Sequence, residues 1–199
     1  MGIKNACVIL IMLGTTAMNG QTYLIGTYDD AFLETRELRW QKDFMNLYYL
    51  EMYSSNGNDG GATLNNADRK SMRKKLLIAR DKYAEWEAIS KSSAIGKVTK
   101  DIKTGFLNMS GTFVLGNDWF KCATAPMYFV FHTDIIEGEQ KCLLTAKVRF
   151  TANGNRYITG DYAIILDSVE DIDQLINILS DEYIDKWMRS AKPEDLLKD

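Results

Sequence analysis

The chain has 199 residues, of which 46% are hydrophobic, and a formal net charge of −3 at pH 7. This length suits a single domain with a sizeable core, and the mild acidity argues against a nucleic-acid partner, because neutralising phosphates needs a concentrated basic surface. The sequence has one histidine, no CxxC pair, no P-loop and no dinucleotide fingerprint, so we expect neither a metal nor a cofactor.

The first twenty residues have the order of a secretion signal. Lys4 supplies a positive start, residues 6–13 form an unbroken apolar run, and small and polar residues follow. The run is much shorter than the roughly 20 residues that cross a bilayer, and Cys7 lies near its start rather than at a cleavage point. We therefore expect a signal peptide over residues 1–20, no membrane span and no lipid anchor. The rest, residues 21–199, is expected to be one secreted or periplasmic domain.

The N-terminal half of this domain has mostly helical periodicity. A short β-prone run at residues 22–28 predicts a first strand, and the apolar spacing over residues 31–53 predicts a helix. Residues 54–66 are rich in Gly, Asn and Ser and predict a flexible connection. Residues 67–89 predict a second helix with an apolar side and a basic side. The apolar residues of the first predicted helix are Leu33, Trp40, Phe44, Leu47 and Tyr48.

The C-terminal half changes to a period of two. Alternating residues predict four antiparallel strands, with a two-residue turn at Glu137 and Gly138 between the second and the third. The strands are expected at residues 106–115, 127–135, 141–150 and 156–166. Ser168, with Asp171 three residues later, resembles a helix start, and the apolar spacing that follows predicts one long helix as far as Trp187. Pro193 opens a short final turn.

The order of these elements predicts an α+β fold. It consists of two N-terminal helices, a four-stranded antiparallel meander and a long C-terminal helix packed on one sheet face. A helix-grip-like cup, in which the last helix lies across a curved sheet, is one form that this order allows.

One face of the predicted meander carries the candidate ligand-binding residues. Tyr128, His132, Asp134 and Lys147 alternate with apolar residues and therefore share the more polar face. His132 is the only histidine, so acid–base chemistry that uses histidine must use this residue. It lies two residues from Asp134 on the same face, where a neighbour on an adjacent strand could orient it. An ordinary half-exposed strand residue is the alternative.

Two short motifs are elements of penicillin-binding enzymes. Residues 71–74 read S-x-x-K and residues 103–105 read K-T-G. Those enzymes need a third element between the two, and the only comparable triplet, residues 54–56, comes first. We therefore do not expect an acylating serine enzyme.

Cys122 and Cys142 remain after the expected signal cleavage, and an oxidising compartment permits a disulfide between them. If the chain runs straight from Cys122 into the hairpin, the two sulfurs are too far apart. A bend near Pro126 is needed for their Cα atoms to come within about 7 Å. The sequence leaves both arrangements open.

The combination of export and a missing catalytic set favours a non-enzymatic binding or interaction module for a protein or small-molecule ligand. Its contact surface is expected on the polar face of the meander. A small exported hydrolase that uses His132 with a carboxylate is the first alternative, and a structural protein of the cell envelope is the second.

Overall fold

The computed structural model describes residues 21–32, 34–42, 46–93, 95–136 and 138–191. The expected signal peptide and the final turn at Pro193 lie outside these residues, as do Leu33, Phe44 and Glu137. The described strands are β1 (Gln21–Asp29), β2 (Thr35–Lys42), β3 (Leu47–Glu51), β4 (Gly60–Leu64), β5 (Val98–Leu115), β6 (Asp118–Ile136), β7 (Glu139–Ala152) and β8 (Asn155–Leu166). The described helices are α1 (Asn66–Ser92), α2 (Val169–Ile178) and α3 (Asp181–Ser190).

The strands form one eight-stranded antiparallel sheet in which each strand pairs with its neighbours in sequence, from β1 to β8. The sheet curls until the free edge of β8 meets the ends of β1 and β3. Tyr53 and Ala163 exchange two main-chain hydrogen bonds of 2.8 and 2.9 Å, and the Ala31 N–H donates to the Ile165 carbonyl at 2.8 Å. We call these four residues the seam.

The predicted fold is wrong in its N-terminal half, because residues 31–53 form β2 and β3 instead of a helix. Leu38 and Trp40 are buried in β2, and Tyr48 and Leu50 are buried in β3, each pair with the alternation of a strand. The helical spacing came from combining apolar residues of two separate strands: Trp40 belongs to β2, whereas Leu47 and Tyr48 belong to β3.

The connection predicted at residues 54–66 contains β4, which begins with two glycines. A Cβ atom at Gly60 would lie 2.3 Å from the Tyr162 ring, and one at Gly61 would lie 2.2 Å from the Leu50 carbonyl oxygen. These glycines are strand residues because neighbouring groups approach the backbone too closely for any side chain.

The predicted meander of four strands is also wrong in size, because it is only the last half of an eight-stranded sheet, and β5 and β6 begin earlier than expected, at Val98 and Asp118. β1 and α1 lie where the periodicity placed them, and the last four strands pair as an antiparallel meander. Met127 lies opposite Val148 and Phe131 opposite Leu144, which is the predicted register. Ser168 caps α2 by accepting a hydrogen bond from the Asp171 N–H at 3.0 Å.

The single long C-terminal helix is also wrong, because the chain forms two helices there. Ser180 interrupts the helix and caps α3 by accepting a hydrogen bond from the Tyr183 N–H at 3.1 Å. A serine at this place satisfies a free N–H group of the next helix, which lets the chain change direction.

The helices define the two faces of the C-terminal meander. On the face that we call inner, the Phe131 ring packs edge-on against Tyr83 and Trp86 of α1, at 5.8 and 5.7 Å between ring centroids. The Tyr83 hydroxyl lies 2.6 Å from the Asp167 carbonyl oxygen, which fixes α1 to the end of β8. The opposite face of β5 to β8 is the outer face. Among the described residues, no helix is both long and apolar enough to span a membrane.

Candidate functional site on the outer face

The four residues predicted to share a face do so, and they lie on the outer face of β6 and β7. Tyr128 is directly opposite Lys147, and Asp134 is opposite Lys141 further along the same strands. His132 lies between them on β6 and is half-buried. Directly opposite residues of an antiparallel pair have Cβ atoms about 5 Å apart, so the Tyr128 ring and the Lys147 chain are neighbours.

Asp134 is held by a lysine rather than by the histidine. Its Oδ1 atom lies 2.6 Å from Lys97 Nζ and accepts a hydrogen bond from the Ile135 N–H at 2.7 Å. Lys97 is the main reason that the pKa of Asp134 lies below its ordinary value. The pKa of His132 is lowered, chiefly by burial, and the nearby Lys147 lowers it further while Asp134 opposes the change. The imidazole is therefore neutral at pH 7.

A wide bulge in β5 adds a feature that the sequence analysis missed. Ile102 pairs with Phe129 and Leu107 pairs with Met127, so the four residues 103–106 of β5 face the single residue Tyr128. Bulges of this kind redirect side chains and are common beside functional sites.

The bulge is fixed from the helical side. Lys75 of α1 donates a hydrogen bond from Nζ to the Thr104 carbonyl at 2.8 Å. Gly105 has a φ of +75°, and a Cβ atom there would lie 3.4 Å from Lys75 Nζ. A glycine in the K-T-G stretch was the only local signal of this bend, because glycine adopts positive φ without strain.

Phe106 is the residue that the bulge presents. Leu107 is buried on the inner face opposite Met127, so strand alternation assigns Phe106, one residue earlier, to the outer face. Phe106 is 81% exposed and Tyr128 is 47% exposed. Two exposed aromatic side chains therefore lie on the neighbouring strands β5 and β6, and Lys147 lies opposite Tyr128 on β7.

The segments of the two penicillin-binding motifs are in contact, but the contact is made by Lys75 and not by Lys74, the lysine of the S-x-x-K motif. Lys75, one position after the S-x-x-K segment, contacts the K-T-G segment through the Thr104 main chain. Lys74 itself is exposed. The contact stabilises the bulge and supplies no base to Ser71.

Thr145 is a second unforeseen feature of the outer face. It lies on β7, two residues before Lys147 and opposite Val130, and it is only 8% exposed. Its hydroxyl is buried and has no hydrogen-bond partner among the described residues. Such a group loses its hydration without compensation, at a cost of about 1–3 kcal/mol.

Most of the charged side chains around Tyr128 that remain without an ion-pair partner are positive. Arg149 and Asp161 form a two-point pair of 2.7 and 2.8 Å, and Asp134 is paired with Lys97. In the described part of the chain, Lys147 forms no ion pair. Lys103 in the bulge is likewise without one there, and so is the exposed acid Asp101 on the same strand.

The two cysteines are free thiols, and both are buried. Cys122 lies near the start of β6, whereas Cys142 lies on β7 opposite Thr133, near the end of β6. Eleven residues of strand at about 3.3 Å per residue separate the two places. The chain runs as one strand from Cys122 into the hairpin, so Cys122 and Cys142 are too far apart to form the disulfide that the sequence permitted.

Two further observations limit the kind of site. Within the described ranges, no group of His, Cys, Asp and Glu residues is placed to hold a metal ion. A shallow concavity of about 540 Å³ lies beside the turn between β7 and β8, and Asn155, Arg156 and Tyr157 are part of its lining. None of the four predicted residues belongs to it.

Comparisons with protein-family models, with curated proteins and with solved structures found no match to this chain.

Proposed function

We propose that this chain is an exported, non-enzymatic binding module whose contact surface is the outer face around Phe106, Tyr128 and Lys147. The exposed pair of aromatic side chains is the observation that carries the proposal. Export rests on the signal-like order of residues 1–20.

The aromatic pair is costly for a surface that has no partner. An apolar ring in water forgoes the favourable free energy of burial, about 25 cal/mol per Å² of apolar surface. Aromatic side chains that dominate binding surfaces have few rotatable bonds, so they lose little conformational freedom when a ligand packs on them. The Lys75 anchor and the positive φ of Gly105 fix the main chain directly before Phe106, on the strand next to that of Tyr128. That support favours a contact site over an incidental exposed residue.

The geometry around His132 favours binding over hydrolysis. A histidine base needs a partner that orients it and a nucleophile within hydrogen-bond distance. Asp134 is paired with Lys97, and the cross-strand neighbours of His132 are Thr99 and Leu143. A hydrolase is therefore not proposed.

The test is a binding screen against immobilised oligosaccharides, peptides and metabolites. The protein is compared with the double variant F106A/Y128A and with Y157A, which removes another exposed aromatic ring, at the turn between β7 and β8. All the substituted side chains are exposed, so the fold is expected to remain intact.

We expect compounds that bind the unaltered protein and Y157A equally well and bind F106A/Y128A at least about tenfold more weakly, since each lost ring contact is worth about 0.5–1.5 kcal/mol. A screen with no bound compound overturns the proposal. So does binding that the double variant retains in full.

A further inference from the structure

We infer that the ligand of the outer face is an acidic carbohydrate, whose sugar ring packs on Phe106 and Tyr128 and whose carboxylate pairs with Lys147. The inference rests on the proposed function and adds the chemical class of the ligand. Three features carry it: the shape of the surface, its unpaired positive charge and the buried hydroxyl of Thr145.

The shape favours an extended ligand with flat rings. Small metabolites bind in concave pockets that bury most of their surface, whereas Phe106 and Tyr128 are exposed and do not line the concavity beside the turn between β7 and β8. The C–H groups on one side of a sugar ring carry small positive charges, which suit the negative face of an aromatic ring. A chain of sugars can lie along such a face and needs no cavity.

The polar surroundings disfavour a protein partner. The centre of a stable protein interface is apolar and depleted of charge. Here Lys147 lies opposite Tyr128, and the exposed residues Asp101 and Lys103 lie on β5, the strand next to that of Tyr128. Polar groups beside aromatic rings are well matched to the many hydroxyls of a sugar.

The charge favours a carboxylated sugar over a neutral one. Lys147 is exposed and forms no ion pair with any described residue, while Asp134 and Asp161 are already paired with Lys97 and Arg149. A ligand carboxylate beside the Tyr128 ring would therefore meet a free ammonium group without competition from those two acids. Asp101, on β5 opposite Val130 of β6, also forms no ion pair with a described residue, and Lys103 and Lys147 outnumber it.

Thr145 offers a further point of attachment. Its unpartnered hydroxyl lies two residues from Lys147 on the same face. A small shift of the covering side chains would bring it to a ligand oxygen, and the new hydrogen bond would recover part of its lost hydration. Thr145→Val keeps the shape and removes the hydroxyl, so it isolates this contribution.

The experiment measures the affinity of the full protein for oligogalacturonate by calorimetry. Two matched probes separate the ring from the charge. The fully methyl-esterified oligomer keeps the sugar rings without the charge, and poly-L-glutamate keeps the charge without the rings. The variants are K147Q, Y128A and T145V, with K74Q as the control for an exposed lysine on α1.

We expect the carboxylated oligomer to bind best and to lose about fivefold in affinity with K147Q, the effect of an exposed charge pair. Y128A weakens both sugar probes, T145V weakens the carboxylated one, and K74Q changes neither. Binding should also weaken as salt rises.

Three outcomes overturn the inference: no binding of the carboxylated oligomer, equal binding of the esterified one, or equal binding of poly-L-glutamate. Equal binding of the esterified oligomer, lost in Y128A, leaves the proposed function standing and refutes only the acidic ligand. Failure of the proposed function itself shows differently, as a screen in which no compound depends on the two rings.

Discussion

The close packing between β4 and β5 leads to a sharp prediction about Gly111. A Cβ atom added at Gly111 would lie 2.4 Å from the tip of the Phe150 ring and 2.7 Å from the Gly61 carbonyl oxygen. Phe150 is fully buried and stacked on Phe113, with 6.3 Å between ring centroids. Neither the ring nor the main-chain oxygen can retreat without moving its neighbours, so Gly111→Ala strains the core.

The expected loss follows from two opposing effects. Overpacking a well-filled core costs about 1–3 kcal/mol, and contact with main chain as well as with a ring places Gly111→Ala near the upper end. Replacing glycine also restricts the unfolded chain, which returns about 0.4–1 kcal/mol. The net decrease in the free energy of unfolding is about 2 kcal/mol, or a drop in Tm of about 4–8 °C for a protein of this size.

Urea unfolding followed by tryptophan fluorescence and by circular dichroism measures this difference. Gly96→Ala is the matched control, because nothing lies within 4 Å of a Cβ atom built at that position. We expect the control to be as stable as the unaltered protein or more stable by up to about 1 kcal/mol, because the same restriction of the unfolded chain applies to it. If Gly111→Ala lowers the free energy of unfolding no more than Gly96→Ala does, the close packing described here is incorrect.

Two further predictions concern Arg69 and His132. Buried Arg69 donates hydrogen bonds to the Leu179 carbonyl and to Asp181, so Arg69→Met should lower the free energy of unfolding by about 2–3 kcal/mol. The control Arg80→Met removes an exposed pair with Asp173 and should lower it by less than about 1 kcal/mol. Equal losses for the two variants in urea unfolding would contradict this prediction. Because burial lowers the pKa of His132, its contribution to stability is present above the ordinary pKa of 6.5 and is lost as pH falls through the range below it. The resonance of this single histidine in proton NMR should titrate below 6.5, and a midpoint above 6.5 would refute the burial argument.

The sequence predicted the structure correctly where a helix or strand is long enough for its apolar residues to repeat with a single period. α1 runs for 27 residues, long enough for its apolar stripe to repeat many times. The hairpin of β6 and β7 has a two-residue turn, so the alternation on one strand fixes the alternation on the other. This is why Tyr128 and Lys147 could be assigned to one face before the structure was known.

The errors arise where short elements meet. β2 and β3 span eight and five residues, too few for the period of either strand to stand out when their apolar residues are considered together. In β4 the glycines required by Tyr162 and Leu50 look the same in sequence as the glycines of a loop. Gly60 is required by β8, at the other end of the sequence, and Gly61 by the pairing of β3 with β4, and periodicity reveals neither contact.

Only the part of the candidate site that follows strand alternation was predicted from the sequence. Alternation located Tyr128 and Lys147, but Phe106 was expected to be an ordinary residue at the start of a strand. Its exposure depends on Lys75, which reaches the bulge from a helix about thirty residues earlier. The orphaned hydroxyl of Thr145 likewise depends on what surrounds it on three strands.

The seam has a consequence for the order in which the chain folds. Tyr53 and Ala163 are separated by more than half of the sequence, and contacts between such distant residues form slowly because a long loop must close first. Until β8 arrives, β7 has an unpaired edge, and the main-chain groups of Tyr53 and Ala31 lack their partners, so another chain could pair with them. The last strand of the sheet is therefore also its protection against self-association, and a nascent chain lacks that protection until nearly all of it has been made.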